Sequence, residues 1–378
     1  MAGFKLILVT PLNAVPKPWT LFRIDGVMVN AYEIITSAGI NSVRGRRLRA
    51  LLGIDDDVEL WIDSGGYRFL KSGELPKLDK IVEVYRKVEA DYYVSLDFPP
   101  SPRDGPRERM LKITRTVNTF LKMKDMLRSL AEEGRLVPVV HMASGYSLRL
   151  QVRLYEPYTN VVAAGGLIPY FMQRSGRYSR LKAVTFLALV RKLWKGKLHA
   201  LGLASPAVIP LLRIIGVDSG DTSSWRHKAA YGKIIIPGVG ERHVSGQPVS
   251  FGPSTLSPDE ARILENFVAR AERELGTRLT ALRESFESRA LFNAWILRYV
   301  SLNGVGYAGT SAAFANLYRA AQKLMRLEPE DIDELLARMM LPSPRIRGKQ
   351  DHVVETVQAE LQTLQHGGVS GTEDIAVR

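Results

Sequence analysis

Glu59-Leu60-Trp61-Ile62-Asp63-Ser64-Gly65-Gly66-Tyr67 runs from an apolar core between two carboxylates straight into a serine and a glycine pair. The first five residues read as a short strand buried on both faces, and the glycines as the loop that ends it. Three more segments follow the same plan. They are Ser95-Leu96-Asp97-Phe98-Pro99-Pro100, Ala164-Gly165-Gly166-Leu167-Ile168 and Gly216-Val217-Asp218-Ser219-Gly220-Asp221. Each follows an apolar, strand-like run and sets a carboxylate or a glycine pair where strand gives way to loop.

Working outward, strand patterns are expected at 5–10, 31–36, 59–63, 92–97, 137–142, 161–164, 199–203 and around Val217. Amphipathic helices are expected between many of them, at 78–89, 107–133 and 179–194. Alternating strand and helix implies parallel pairing through right-handed crossovers. About eight such strands make an α/β chain with a (β/α)8 TIM-type barrel, and an open doubly wound sheet is the competing arrangement. The barrel is expected over 1–250. A turn-rich stretch with a short hairpin is expected in 240–258. Helices at 259–275, 283–300, 310–325 and 329–340 form a helical C-terminal region over 251–345. The basic and polar tail, 346–378, is expected to be flexible.

The 378 residues carry a net charge of +13 and no cysteine. The charge favours polyanionic partners, nucleic acid first. Without cysteine, disulfides, thiolate metal sites and cysteine nucleophiles are excluded. Six histidines without HxH or HExxH spacing give no metal site, so none is expected. No apolar run reaches membrane-spanning length, and no signal peptide is apparent at the start. A soluble, cytoplasmic protein is the expectation.

Reactive groups in a parallel barrel lie at the C-terminal ends of its strands. Asp63, Asp97, His141, Gly166 and Asp221 all fall there in this reading. One aspartate at a strand end is ordinarily a helix cap, but three in related contexts weaken that account. The glycine pairs are turn residues or places where backbone approaches a flat ligand, and the local sequence does not choose between them. His141 on its own would ordinarily be a satisfied core or rim residue. The stretch 169–180 interleaves aromatics with Arg174, Arg177 and Arg180. Trp225-Arg226-His227-Lys228 and the arginines and lysine of 103–115 add two further basic clusters. Together they suggest a basic rim that contacts phosphates and stacks bases.

In this order, the four segments resemble the tRNA-guanine transglycosylase superfamily, over about residues 5–238. The family's aspartate-serine-glycine-glycine motif is similar to Asp63-Ser64-Gly65-Gly66. Its base-recognising aspartate is similar to Asp97, and its glycine-glycine-leucine loop to Gly165-Gly166-Leu167. Its nucleophile strand is similar to 216–221, which makes Asp221 the implied nucleophile. The resemblance implies Asp63 as general acid and base. It implies Asp97, His141, Gly165, Gly166, Leu167, Tyr67 and Ser64 as the base pocket. Arg174, Arg177, Arg180, Trp225, Arg226 and Lys228 are candidates for holding nucleic acid.

The chain departs from the tRNA enzymes in several respects, among them that no RNA-binding domain of the archaeosine type is evident toward its C-terminus. It has no cysteine for their zinc module. Thr222-Ser223-Ser224-Trp225-Arg226-His227-Lys228 replaces the segment that grips the anticodon loop, and His141 stands where a glutamine is expected. In this it is more similar to the DNA-modifying branch (DpdA-type), which inserts 7-deazaguanine bases into DNA. The implied partners are DNA, with tRNA as the alternative, and a free 7-deazaguanine such as 7-cyano-7-deazaguanine (preQ0). No cofactor is implied. A noncatalytic nucleic-acid-binding paralogue and a homodimer or helper protein are left open.

Overall fold

The computed structural model describes residues 3–66, 77–172, 179–245, 256–275, 282–303 and 312–340. Nine parallel strand segments form one sheet. They are β1 (Lys5–Val9), β2 (Gly26–Asn30), β3 (Glu59–Asp63), β4 (Tyr92–Val94), β5 (Leu136–Val137), β6 (Val139–Val140), β7 (Val161–Ala164), β8 (Lys197–Ala200) and β9 (Ser219–Thr222). Their order is β5-β4-β3-β2-β1-β9-β8-β7-β6. The two ends of that order, β5 and β6, are separated in sequence by Pro138 alone. Proline has no N–H to give a ladder, so one strand is written as two. Its first half pairs with β4 and its second half with β7. The Pro138 carbonyl still accepts from Ala163 N–H at 2.9 Å. Counted this way, eight strands make a TIM-type α/β barrel, as expected from the sequence.

Ile7, Met28, Trp61, Val94, Val137, Val139, Val161 and Ala163 meet inside the barrel as a cluster separate from the larger core under the helices. These strands are therefore apolar on both faces, which is why their sequences lack the alternation of a half-exposed sheet.

The second strand differs from the expectation. Residues 31–36 are helical, and the strand lies immediately before them as β2. Apolar residues lie on both sides of Asn30, at 27–29 and in 31–35 apart from Glu33, so hydrophobicity alone does not place the boundary. Asn30 makes the division: its side chain accepts from Tyr32 N–H at 2.9 Å and caps the following turn. The last strand also begins later than expected. Gly216, at φ 82°, ends the helix Ile209–Ile215, and β9 starts at Ser219.

The helix expected over 107–133 is two helices, Pro106–Met126 and Arg128–Glu132. A hairpin of β10 (Lys233–Ile236) and β11 (Gly240–His243) begins before the stretch expected to hold it. Four helices follow: Pro258–Leu275, Phe286–Asn303, Ala312–Leu324 and Pro329–Met340. Phe286–Asn303 packs on β1, β10 and the helix Ser224–Ala230. Its buried Asn293 accepts from Ile235 N–H at 2.8 Å and donates to the carbonyls of Lys233 and Trp225. The C-terminal helices are thus seated on the barrel. The tail 346–378 lies outside the described residues. Among the described residues no helix is long and apolar enough to cross a membrane.

Candidate active site

Asp63 is the last residue of β3 and projects from the C-terminal end of the barrel. Its Oδ2 accepts from Asn30 Nδ2 at 2.9 Å and from Gly65 N–H at 3.2 Å. Gly65 can deliver that N–H because it sits at φ 86°. Burial pushes the Asp63 carboxyl up to about 7, and the nearby charges of Asp97 and Asp221 push it the same way. Three aspartates, two on strands β3 and β9 and one in the loop after β4, therefore share one electrostatic neighbourhood.

Asp97 is buried, and among the described residues its carboxylate accepts no aligned hydrogen bond. Glycines flank it on two sides. A Cβ on Gly66 would come within 2.8 Å of Asp97 Oδ1, and one on Gly165 within 3.3 Å of its Oδ2. Both segments approach the carboxylate because neither carries a side chain there. His141 Nε2 lies 3.2 Å from Asp97 Oδ2. It is not aligned for a hydrogen bond, and both ring nitrogens are buried without a partner. The ring also stands beside Gly166, whose Cβ would come within 3.3 Å of Nδ1. The hydroxyls of Ser64 and Ser95 are likewise buried and unpartnered. Buried polar atoms are ordinarily satisfied. Beside Asp97, whose carboxylate has no donor among the described residues, the unpartnered His141 ring leaves polar groups that a bound polar ligand could satisfy.

Asp221 lies within β9 and is 5% exposed. Its Oδ1 accepts from Gly202 N–H at 2.7 Å and lies 3.1 Å from His199 Nε2. The sequence reading did not single out His199. The available signal was its alternation with the apolar residues of β8, which turns it to the barrel interior. Gln151 was also missed. It is buried, and its Oε1 accepts from His141 N–H at 3.1 Å, so a glutamine supports this region through the backbone of His141.

The structure thus brings Asp63, Asp97, His141, Gly165, Gly166 and Asp221 to one end of the barrel. Leu167 is buried beside them. Tyr67, Arg174 and Arg177 lie outside the described residues. The basic candidates do not converge in the same way. Trp225 is a correction: it is wholly buried, and its indole N–H donates to the Val9 carbonyl at 3.0 Å. It supports the barrel wall and offers no face to a base. Arg226 donates to the Val15 carbonyl at 2.8 Å and lies over the rings of Trp225 and Phe286. Arg180 donates to the Phe171 carbonyl at 3.0 Å, and Lys228 pairs with Glu241 at 2.5 Å.

A cleft of about 600 Å³ lies between Lys124, Arg128, Gly134 and Asn160. Gly134 and Asn160 precede strands, so this cleft is at the opposite end of the barrel from the aspartates. Among the described residues no group of three or more His, Cys, Asp or Glu side chains is arranged to hold a metal ion.

No family model matches the chain. It is 24% identical over 251 residues to an uncharacterized protein, 306, of Sulfolobus islandicus rod-shaped virus 1; the match covers 65% of this chain and 72% of the viral protein. It is also 24% identical over 215 residues to the tRNA-guanine(15) transglycosylase of Pyrobaculum aerophilum. That match covers 56% of this chain and 41% of the archaeal enzyme, so the chain spans less than half of that relative. The distant similarity to a guanine transglycosylase agrees in kind with a barrel whose mouth gathers three aspartates.

Proposed function

We propose that the chain is a pentosyltransferase that exchanges guanine in a polynucleotide for a free guanine-type base. One observation carries the reading: Asp97, without a donor among the described residues, stands beside the orphan His141 ring and two close glycine segments, and its charge, with that of Asp221, acts on the buried Asp63. A guanine or 7-deazaguanine has the complementary edge. Its N1–H and exocyclic amine would donate to Asp97, and its carbonyl would accept from the backbone at Gly166 and Leu167.

In this scheme Asp221 attacks C1′ of the target nucleotide. The C1′–N9 bond breaks, its electron pair leaves with the base, and Asp63 supplies the proton. A covalent sugar ester on Asp221 results, dividing one displacement into two easier ones. The incoming base then gives its N9 proton to Asp63, and N9 attacks C1′ to release the carboxylate. Two inversions give net retention. A carboxyl at about 7 suits both duties at neutral pH, since it is available in either protonation state. A duplex substrate would have to expose the target base.

DNA is the proposed polymer and 7-cyano-7-deazaguanine the proposed incoming base. The absence of cysteine for a zinc module and the replaced segment 222–228 support this choice. The named activity of the archaeal relative favours tRNA as the second reading. The deciding experiment offers radiolabelled guanine, or the 7-deazaguanine, with DNA and tRNA in parallel. Label in DNA is expected. Label in tRNA alone would move the protein to the second reading, and label in neither would overturn the transglycosylase assignment.

A further inference from the structure

His199 lies opposite Ser219 in the β8–β9 ladder. Asp221 is two residues further along β9, hence on the same face. The imidazole spans both. Its Nδ1 is 2.8 Å from Ser219 Oγ and its Nε2 is 3.1 Å from Asp221 Oδ1. A carboxylate only accepts, so Nε2 carries a proton. In a neutral ring Nδ1 is then bare and accepts from the Ser219 hydroxyl, which fixes the tautomer. The ring has no freedom to tilt. Trp61 stacks on it at 4.6 Å between centroids, and Tyr92 stacks on Trp61 at 4.3 Å. Trp61 is itself held by its indole N–H donating to Glu59 Oε2 at 3.1 Å. A column of three rings therefore rises through the barrel interior and ends against the side chain of Asp221.

A buried histidine on a strand is ordinarily a satisfied core residue. Here its partner is a carboxylate at the reactive end of the barrel. That carboxylate receives the histidine and the Gly202 N–H on the same oxygen, Oδ1. Among the described residues Oδ2 accepts no hydrogen bond. Resting on the transglycosylase reading above, we propose that His199 is a positioning residue. With Gly202 it holds Oδ1, reserves Oδ2 for attack on C1′, and uses the Trp61–Tyr92 stack as its support. Misplacement of a reacting group by about 1 Å can cost on the order of 10²-fold in rate.

The test compares His199→Leu, which keeps bulk without a donor, with His199→Gln, whose amide can donate toward Asp221. The leucine variant should lower kcat for base exchange by about 10²-fold while KM for the polynucleotide stays within about threefold. The glutamine variant should recover at least about tenfold of that loss. Equal losses in the two variants, or a loss confined to KM, would overturn the proposal. Nitrogen NMR of ring-labelled histidine, assigned by the glutamine variant, should find His199 protonated at Nε2; protonation at Nδ1 alone would also overturn it. A covalent polymer–protein adduct on a denaturing gel separates the two levels of the argument. No adduct and no exchange in the unaltered protein would remove the transglycosylase reading and the positioning role together. Adduct formation at full rate in the leucine variant would remove only the role of His199.

Discussion

The two ends of the barrel hold aspartates in opposite ways. At the N-terminal end, Asp25, Asp91 and Asp218 each immediately precede a strand. Each accepts from the N–H of the second residue of the neighbouring strand: Leu6 at 2.9 Å, Leu60 at 2.7 Å and Leu198 at 2.8 Å. Two of them also pair with arginine, Asp91 with Arg49 and Asp218 with Arg191. At the C-terminal end, Asp63, Asp97 and Asp221 pair with no lysine or arginine among the described residues. Burial raises the Asp63 carboxyl, and the nearby charges of Asp97 and Asp221 add to the effect. Carboxylates that are matched hold strands in register. Carboxylates crowded together in a buried cleft without a cationic partner cost stability, and under the proposed function that crowding serves the chemistry.

The sharpest way to break this comparison uses two aspartates three residues apart on one segment. Asp221→Asn should lower base exchange by about 10⁴-fold or more, because the ester can no longer form. Its melting temperature should change little. Asp218→Asn should leave the exchange rate intact and lower stability by about 1 kcal/mol, since its pair with Arg191 is partly exposed. Exchange rates from label incorporation and stabilities from denaturant unfolding check both. Persistent exchange in Asp221→Asn would remove it as nucleophile.

Asp63 sharpens the comparison through pH. Its folded carboxyl is raised to about 7, above the ordinary value of 3.8. Between these values the folded chain binds a proton that the unfolded chain does not. Stability contributed at this site therefore falls as pH rises from about 4 to 7 and is level above that. The difference corresponds to on the order of 4 kcal/mol. Asp63→Asn removes the titration, so its stability relative to the unaltered protein should climb across that window and then flatten. Urea unfolding at four or five pH values measures it. A constant offset would mean that Asp63 is not held protonated by its surroundings. The same variant should lose base exchange at every pH.

Asp97 tests whether the unmatched end is divided by role. Asp97→Ala should weaken the free base by roughly 1–3 kcal/mol, the cost of leaving buried donors unpaired. Affinity for the polynucleotide, measured separately, should fall much less. Equal losses would argue that Asp97 holds the mouth together instead of reading a base.

The C-terminal end was legible in the sequence because its residues sit in short segments of unusual composition. Asp63-Ser64-Gly65-Gly66 and Gly165-Gly166 stand out because each sets a glycine pair directly after an apolar run, although a glycine pair alone reads equally as a turn. The matching end was not. Asp25 and Asp91 lie outside the four segments and Asp218 inside one of them, and the role the three share emerges only when neighbouring strands are aligned. His199 was hidden for a related reason: its partners lie 20 and 22 residues away on the next strand. Trp225 misled in the other direction. Beside Arg226 and Lys228 it looked like part of a surface patch, but a helix of 3.6 residues per turn sends adjacent residues to different faces. The second strand was misplaced because apolar residues fill both the strand and the helical turn after it, and the boundary is the cap at Asn30.

The smallest expected effect probes whether the two ends are independent. Asp91→Asn keeps an oxygen that can accept from Leu60 N–H and removes only the charge opposite Arg49. Arg49 is 7% exposed, and its guanidinium also donates to the carbonyls of Asp55 at 3.1 Å and Val58 at 3.0 Å. Those bonds survive the substitution, so the cost should be about 1 kcal/mol, well below that of stranding a buried charge. Exchange should be unchanged, because β3 carries Asp63 at its far end and its register is also held by β2 along five residue pairs. A variant of normal stability with slowed exchange would show that the N-terminal cap tunes the mouth through β3. In that case the separation between matched and unmatched carboxylates would be one of degree.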